Sequence, residues 1–150
     1  MIEIVSRLEA DINSALRGKL PELATLRILK SALHNEVIAR VGKETGLDED
    51  GALAIFRREL KKRQEAAKLY EQGGRLDLAA KEKDEAEIIF NYLPAAPNSD
   101  DIKNTVVRLK QELNLSGVHA MGQLTKAVMA HYNGAADGQT VSSLVREVLK

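Results

Sequence analysis

Cysteine is absent from this chain of 150 residues, and aromatics make up only 3% of it. Without thiols there is no disulfide, no thiolate metal ligand and no cysteine nucleophile, and nothing records a redox compartment. Net charge is missing too: 22 basic residues balance 22 acidic ones. No global field therefore draws the chain to nucleic acid or an anionic membrane, and any such binding has to come from a local patch. No apolar run approaches the roughly 20 residues that span a bilayer. The opening stretch MIEIVSRLEADINSAL carries Glu3, Glu9 and Asp11 and lacks the basic start and unbroken apolar middle of a secretory signal. These absences predict a cytoplasmic protein with no membrane and no DNA as partner.

The usual signatures of catalysis and cofactor binding are missing as well. His34, His119 and His131 are far apart, with no H-x-x-x-H pair, so no metal site is expected. GLDEDG has the outline of a calcium loop, but that loop needs an acid at its first position and a glutamate at its twelfth, where this chain has Gly46 and Arg57. VGKET lacks the upstream glycine of a phosphate loop, and neither G-x-S-x-G nor G-x-G-x-x-G occurs. Glu82, Asp84, Glu85 and Glu87 alternate with Lys81 and Lys83 along one segment, the pattern of solvated ion pairs rather than of a general acid and base. No catalytic residue and no cofactor is assigned.

What the chain does contain is helical periodicity. Alternation of period two is not sustained anywhere, while spacings of three and four recur throughout, so an all-α fold is predicted. Ile4, Leu8, Ile12, Ala15 and Leu16 mark a first helix ending near Gly18. A second carries Leu23, Leu26, Leu29, Leu33, Val37 and Ile38, with Pro21 in a tolerated first-turn position, and stops before Gly42. After the polar turn VGKETGLDEDG, a long third helix starts at Asp48 or Glu49 and stops at Gly73 and Gly74, with Leu53, Phe56, Leu60, Ala67 and Tyr70 on one side. A fourth runs from Leu76 to Leu93. LPAAPNSDD follows, and its two prolines make it the best linker. Ser99 or Asp100 is expected to cap a fifth helix with Ile102, Val106, Leu109 and Leu113 on one face. Met121, Leu124 and Val128 mark a sixth, and Val141, Leu144, Val145 and Val148 a seventh capped by Asp137. The prediction is a four-helix assembly of antiparallel helices over 1–94 and a three-helix domain over 95–150.

Two local features point to anion binding. In FRRELKKRQ, residues Arg57, Arg58, Lys61 and Lys62 fall at i, i+1, i+4 and i+5, which on a helix makes one broad basic strip able to meet phosphates. The alternative is a solvated face in which Glu59 and Arg63 pair at i, i+4. The second feature is the turn from Gly134 to Gly138, whose backbone N–H groups and helix-dipole end could accept a phosphate. Here the alternative is that Asp137 fills those donors itself. Residues 98–150 contain six basic and five acidic residues, so charge alone gives that part little affinity for RNA.

Longer stretches carry a resemblance. MGQLTKAVMAHYNGAADGQTVSSLVREVL, through Met121, Gly122, Val128, Met129, Gly134, Ala136, Asp137, Gly138 and Val141, resembles the tail domain of the B subunit of the tRNA-dependent glutamine amidotransferase. LRILKSALHNE (Arg27, Ser31, Ala32, Leu33, Asn35, Glu36), KRQEAAKLYEQGGRLDLAAKE and EIIFNYLP are similar to the stand-alone YqeY branch. Together these cover most of the chain, which is identified as a member of the GatB/YqeY family. This chain has Ala135 where the family often has a lysine inside the turn, and Ala120 where an acid often precedes M-G. Without that lysine one phosphate goes unneutralised, about 0.9 of a released counterion.

The resemblance implies two helical parts and an association with tRNA. The family's tail domain is a non-catalytic appendage that holds tRNA, and the parts that do the chemistry in the glutamine-dependent carbon–nitrogen ligase have no counterpart among these residues. The expected role is a tRNA-binding accessory module in translation, with Lys126, Arg146 and the turn at Gly134 and Gly138 as one contact surface and Arg57, Arg58, Lys61 and Lys62 as a second. The alternative is an adaptor that docks on a tRNA synthetase or amidotransferase without touching RNA. A third, weaker expectation is an amide-transfer enzyme using Asn35, Glu36 and Arg63 as a polar cluster.

Overall fold

The structure, a computed structural model, describes residues 3–41, 47–132 and 134–150. Among these residues every regular element is helical: α1 (Glu3–Gly18), α2 (Leu23–Ala39), α3 (Glu49–Gln72), α4 (Leu76–Phe90), α5 (Ser99–Glu112), α6 (Met121–His131) and α7 (Gly138–Leu149), with a short 3-10 turn over Val118–Ala120. The chain divides into two compact units, Met1–Pro94 and Ala95–Lys150. No described helix is long and apolar enough to cross a membrane.

In the first unit, α3 and α4 form a tight hairpin because α3 ends at a left-handed residue. Gly74 has φ 75°, a conformation open to glycine, and it lets the Arg75 N–H reach back to the Tyr70 carbonyl at 2.8 Å. The seam between the two helices is lined by buried alanines, Ala67, Ala79 and Ala86, whose small side chains permit close approach of the backbones. α1 packs on α2 and α3, and α2 touches α3 and α4. The core joins Leu8, Leu29, Phe56, Ile89 and Tyr92, and Phe56 meets Tyr92 edge to face at 5.6 Å, the favoured geometry for two rings.

The second unit folds around Ile102, Val106, Leu124, Val128, Val141 and Val145, all but excluded from solvent. Three helices with one apolar stripe each cover this core pairwise. Tyr132, just beyond α6, ties its end to the first turn of α5. Its hydroxyl lies 2.7 Å from the Thr105 hydroxyl and donates to the Asp101 carbonyl at 3.1 Å.

Several expected boundaries move, each for a local reason. The α5 cap is Asn98 rather than Ser99 or Asp100: its side-chain oxygen accepts the Asp101 N–H at 2.8 Å, which makes Ser99 the first helical residue. Asp48 caps α3, accepting the Gly51 N–H at 2.7 Å. α4 stops at Phe90, three residues before Leu93, in a turn closed by Tyr92 and Leu93 N–H bonds to the Ile89 and Phe90 carbonyls. Past Gly18 the left-handed residue is Lys19. Leu16, Val37 and Ile38, expected on core faces, are 52%, 48% and 56% exposed. α2 is apolar on more than one face, so periodicity could not tell its core side from its outer side. Of the polar turn 41–51, residues 42–46, which include Gly42 and Gly46, lie outside the described residues.

Candidate nucleic-acid interface

The basic segment of α3 is placed by the core beneath it. Ala52, Ile55, Phe56, Glu59 and Ala67 are buried, which turns Arg58, Lys61 and Lys62 outward, all exposed. Arg57 differs from the other three. It is half-buried, and burial pushes its guanidinium below the ordinary arginine range while the Asp50 carboxylate opposes the shift. Lys61 lies 4.0 Å from Glu65 and Lys62 3.4 Å from Glu59, loose pairs at exposed nitrogens that cost little to break. Among the described residues Arg58 has no carboxylate within 4.0 Å. Lys68, also exposed, stands two turns beyond Lys61 on the same face and extends the strip. The i, i+7 spacing carried that signal in the sequence.

Beneath the strip lies an ionic cluster. Glu59 is 6% exposed and faces Arg63 at 3.4 Å, while Arg63 Nε lies 3.3 Å from Glu85 on α4. The i, i+4 pair of Glu59 and Arg63 is therefore present, and Arg63 also bridges the hairpin. Arg63 Nε itself has no well-aligned acceptor, so its contact with Glu85 is Coulombic rather than a hydrogen bond. Glu36 pairs with Arg40, just past the end of its helix, at 2.8 Å; among the described residues no ion pair joins it to Arg63, whose carboxylate contacts are Glu59 and Glu85, and Asn35 is exposed.

In the second unit, Lys126 on α6 and Arg146 on α7 are exposed, and neither has a carboxylate within 4.0 Å among the described residues. Lys103 and Arg108 by contrast are engaged by Glu147 at 3.1 Å and Glu112 at 3.4 Å. The turn before α7 is set by Gly134, whose φ of 81° suits glycine. Ala136 is buried at 4% exposure, and Asp137 caps the helix, accepting from the Thr140 N–H at 3.0 Å and the Thr140 hydroxyl at 2.9 Å. These bonds, the backbone one first, hold the Asp137 carboxyl below its usual range. The carboxylate thus already occupies part of the donor set that an external anion would use. Gly138 follows in the first turn of α7, where an added Cβ would meet open space.

A second polar centre, with no counterpart in any linear motif, sits in the first unit. The Tyr92 hydroxyl donates to Asp11, and the Arg7 guanidinium covers the Tyr92 ring at 4.5 Å while one of its nitrogens donates to the Asn91 carbonyl at 3.2 Å. Burial first, then the bond to Asp11, raises the Tyr92 phenol far above its ordinary value, so it stays a donor. Asp11 and Tyr92 are 81 positions apart, and nothing in the order of residues joins them. All three histidines are exposed, and among the described residues no group of three His, Cys, Asp or Glu is placed to hold a metal ion.

These features define a class first: an all-helical protein in two units with its charge arranged in surface strips and local caps. Within that class the chain belongs to the YqeY family, since the family described as Yqey-like protein matches it over residues 5–149. No curated protein matches the chain.

Proposed function

We propose that this chain is a tRNA-binding accessory module, related to the tRNA-dependent glutamine amidotransferase and non-catalytic by itself. It would be built as a four-helix YqeY-like part and a three-helix part akin to the tail domain of that enzyme's B subunit. The observation that carries the reading is the state of the cations. Arg58, Lys126 and Arg146 are exposed and unengaged among the described residues, and Lys61 and Lys62 are held only by long surface pairs. Bases left free of carboxylates are the groups that release counterions when they meet phosphates. With three tyrosines and two phenylalanines in the whole chain, contacts fall on the backbone rather than on stacked bases.

The test is a band-shift titration with total tRNA between about 50 and 200 mM salt, where phosphate contacts change affinity most steeply. Binding is expected to weaken with salt, and the pair Lys126→Ala, Arg146→Ala to lower the logarithmic salt slope by about 2, close to one for each phosphate left unneutralised. Absence of binding at the low-salt end overturns the reading. A second reading, an adaptor for a synthetase or amidotransferase, draws on Val37, which is 48% exposed and lines a groove with Val5, Leu8, Leu33 and Leu47, and on the exposed Ile38 and Val41. Partners that stay bound through ribonuclease treatment favour it over the first.

A further inference from the structure

A groove of about 700 Å³ opens in the first unit between α1, the turn leading into α2, and α4, within the size range of small-molecule sites. Its ionisable lining is unbalanced: Asp11, Glu22, Asp84 and Glu85 against Arg7 and Lys81. Arg7 is already engaged by Asp11, the Tyr92 ring and the Asn91 carbonyl, and Glu85 by Arg63. Glu22 and Asp84 have no ionic partner among the described residues. Such a surface attracts cations and repels phosphate, which sets it apart from the strips assigned to RNA.

An independent observation comes from the floor of the groove. Thr25 lines it and is 3% exposed, yet among the described residues its hydroxyl has no hydrogen-bond partner. Nor is that oxygen sealed off from solvent, as the Thr125 oxygen is, so what access it has is through the groove. A hydroxyl with so narrow an opening takes its hydrogen bond from whatever occupies the groove, water or ligand. A bare metal ion does not fit, because the carboxylates are dispersed and no three of them converge. Dispersed carboxylates suit a ligand whose positive charges are themselves spaced out. Between them the walls are apolar, formed by Ala15, Leu20, Leu26 and Ile88, a surface for methylene groups.

We propose that this groove binds a linear polyamine, its ammonium groups meeting Glu22 and Asp84, its methylenes lying on Leu20, Leu26 and Ile88, and one N–H donated to the Thr25 hydroxyl. This site goes beyond the proposed RNA role and stands or falls separately from it.

The test is calorimetry with spermidine on the full chain, with amide NMR shifts locating the contact. Saturable binding is expected, with shifts concentrated at Thr25, Asp84 and Asn91. Glu22→Gln and Asp84→Asn should each weaken it about tenfold and Thr25→Val about fivefold, the usual sizes for removing a charge-assisted and a neutral hydrogen bond. Lys81→Ala should tighten binding about twofold by removing a like charge, an outcome that damage to the fold cannot mimic. Glu22 and Asp84 make no ion pair among the described residues, so their variants report on binding even if Thr25→Val unfolds. Equal affinity in all variants, shifts scattered over the acidic surface, or displacement of spermidine by magnesium at matched ionic strength would each overturn the proposal.

Discussion

In the first unit Phe56 and Tyr92 meet edge to face, and a nearly buried ionic bridge of Glu59, Arg63 and Glu85 crosses the α3–α4 hairpin. In the second unit the buried core is aliphatic, and its one tyrosine, Tyr132, lies at the margin and bonds Thr105 and Asp101. The difference lies in what specifies each interior. An aliphatic core of three short helices follows from where valines and leucines fall on each helix, since packing by size and pattern tolerates exchange. A core that also contains charges is specified by partners, because a buried ion without its partner is costly.

The largest break in this comparison is expected from Phe56→Ala. The ring is fully buried against Tyr92, and its removal should cost about 4 kcal/mol, read as faster hydrogen exchange at α1–α4 amides. Val128→Ala at the centre of the second unit removes two methyl groups and serves as the smaller aliphatic counterpart; an equal loss would erase the contrast.

Glu59→Ala comes next. Among the described residues it leaves Arg63 with Glu85 as its one carboxylate, and a loss of about 3 kcal/mol in denaturant unfolding is expected. The double variant Glu59→Leu, Arg63→Met should recover most of that, because an apolar pair of similar volume avoids the desolvation cost. A double variant as weak as the single one would mean the bridge contributes more than its desolvation removes.

The smallest effect is in pH response. The Tyr92 pKa is raised in the folded state, so the stability it contributes is complete below its unfolded value of about 10 and is lost as pH rises above that. The Asp137 pKa is lowered in the folded state, so its contribution is present above about 4 and is lost as pH falls through the depressed value. Alkaline titration should therefore loosen the first unit before the second, and Tyr92→Phe should remove that sensitivity. Acid titration should act on the second unit through Asp137, and Asp137→Asn should blunt the response.

Much of the fold is legible in the sequence because its causes are local. Helical periodicity, Gly74 as the α3 stop, Asp137 as a cap and the Glu59–Arg63 pair all depend on residues within a few positions of one another. The exposed bases of α3 are legible for the same reason, since a buried Phe56 face implies an outward Lys61 face. Arg57 sits only partly on that strip, because partial burial depends on neighbours that spacing does not reveal. Asn98 does not stand out as the α5 cap because Ser99 and Asp100 beside it are equally good capping types, and only the backbone path decides which side chain reaches the Asp101 N–H.

What the amino-acid order determined by itself is the set of helices, their caps and which faces carry charge, all consequences of interactions within one or two turns. What only the tertiary structure decided is which distant residues meet: Asp11 with Tyr92, Arg63 with Glu85, and the walls of the groove around Thr25. Those contacts join different helices, and helix-to-helix packing is chosen by how whole faces fit, a property no single segment of the chain contains.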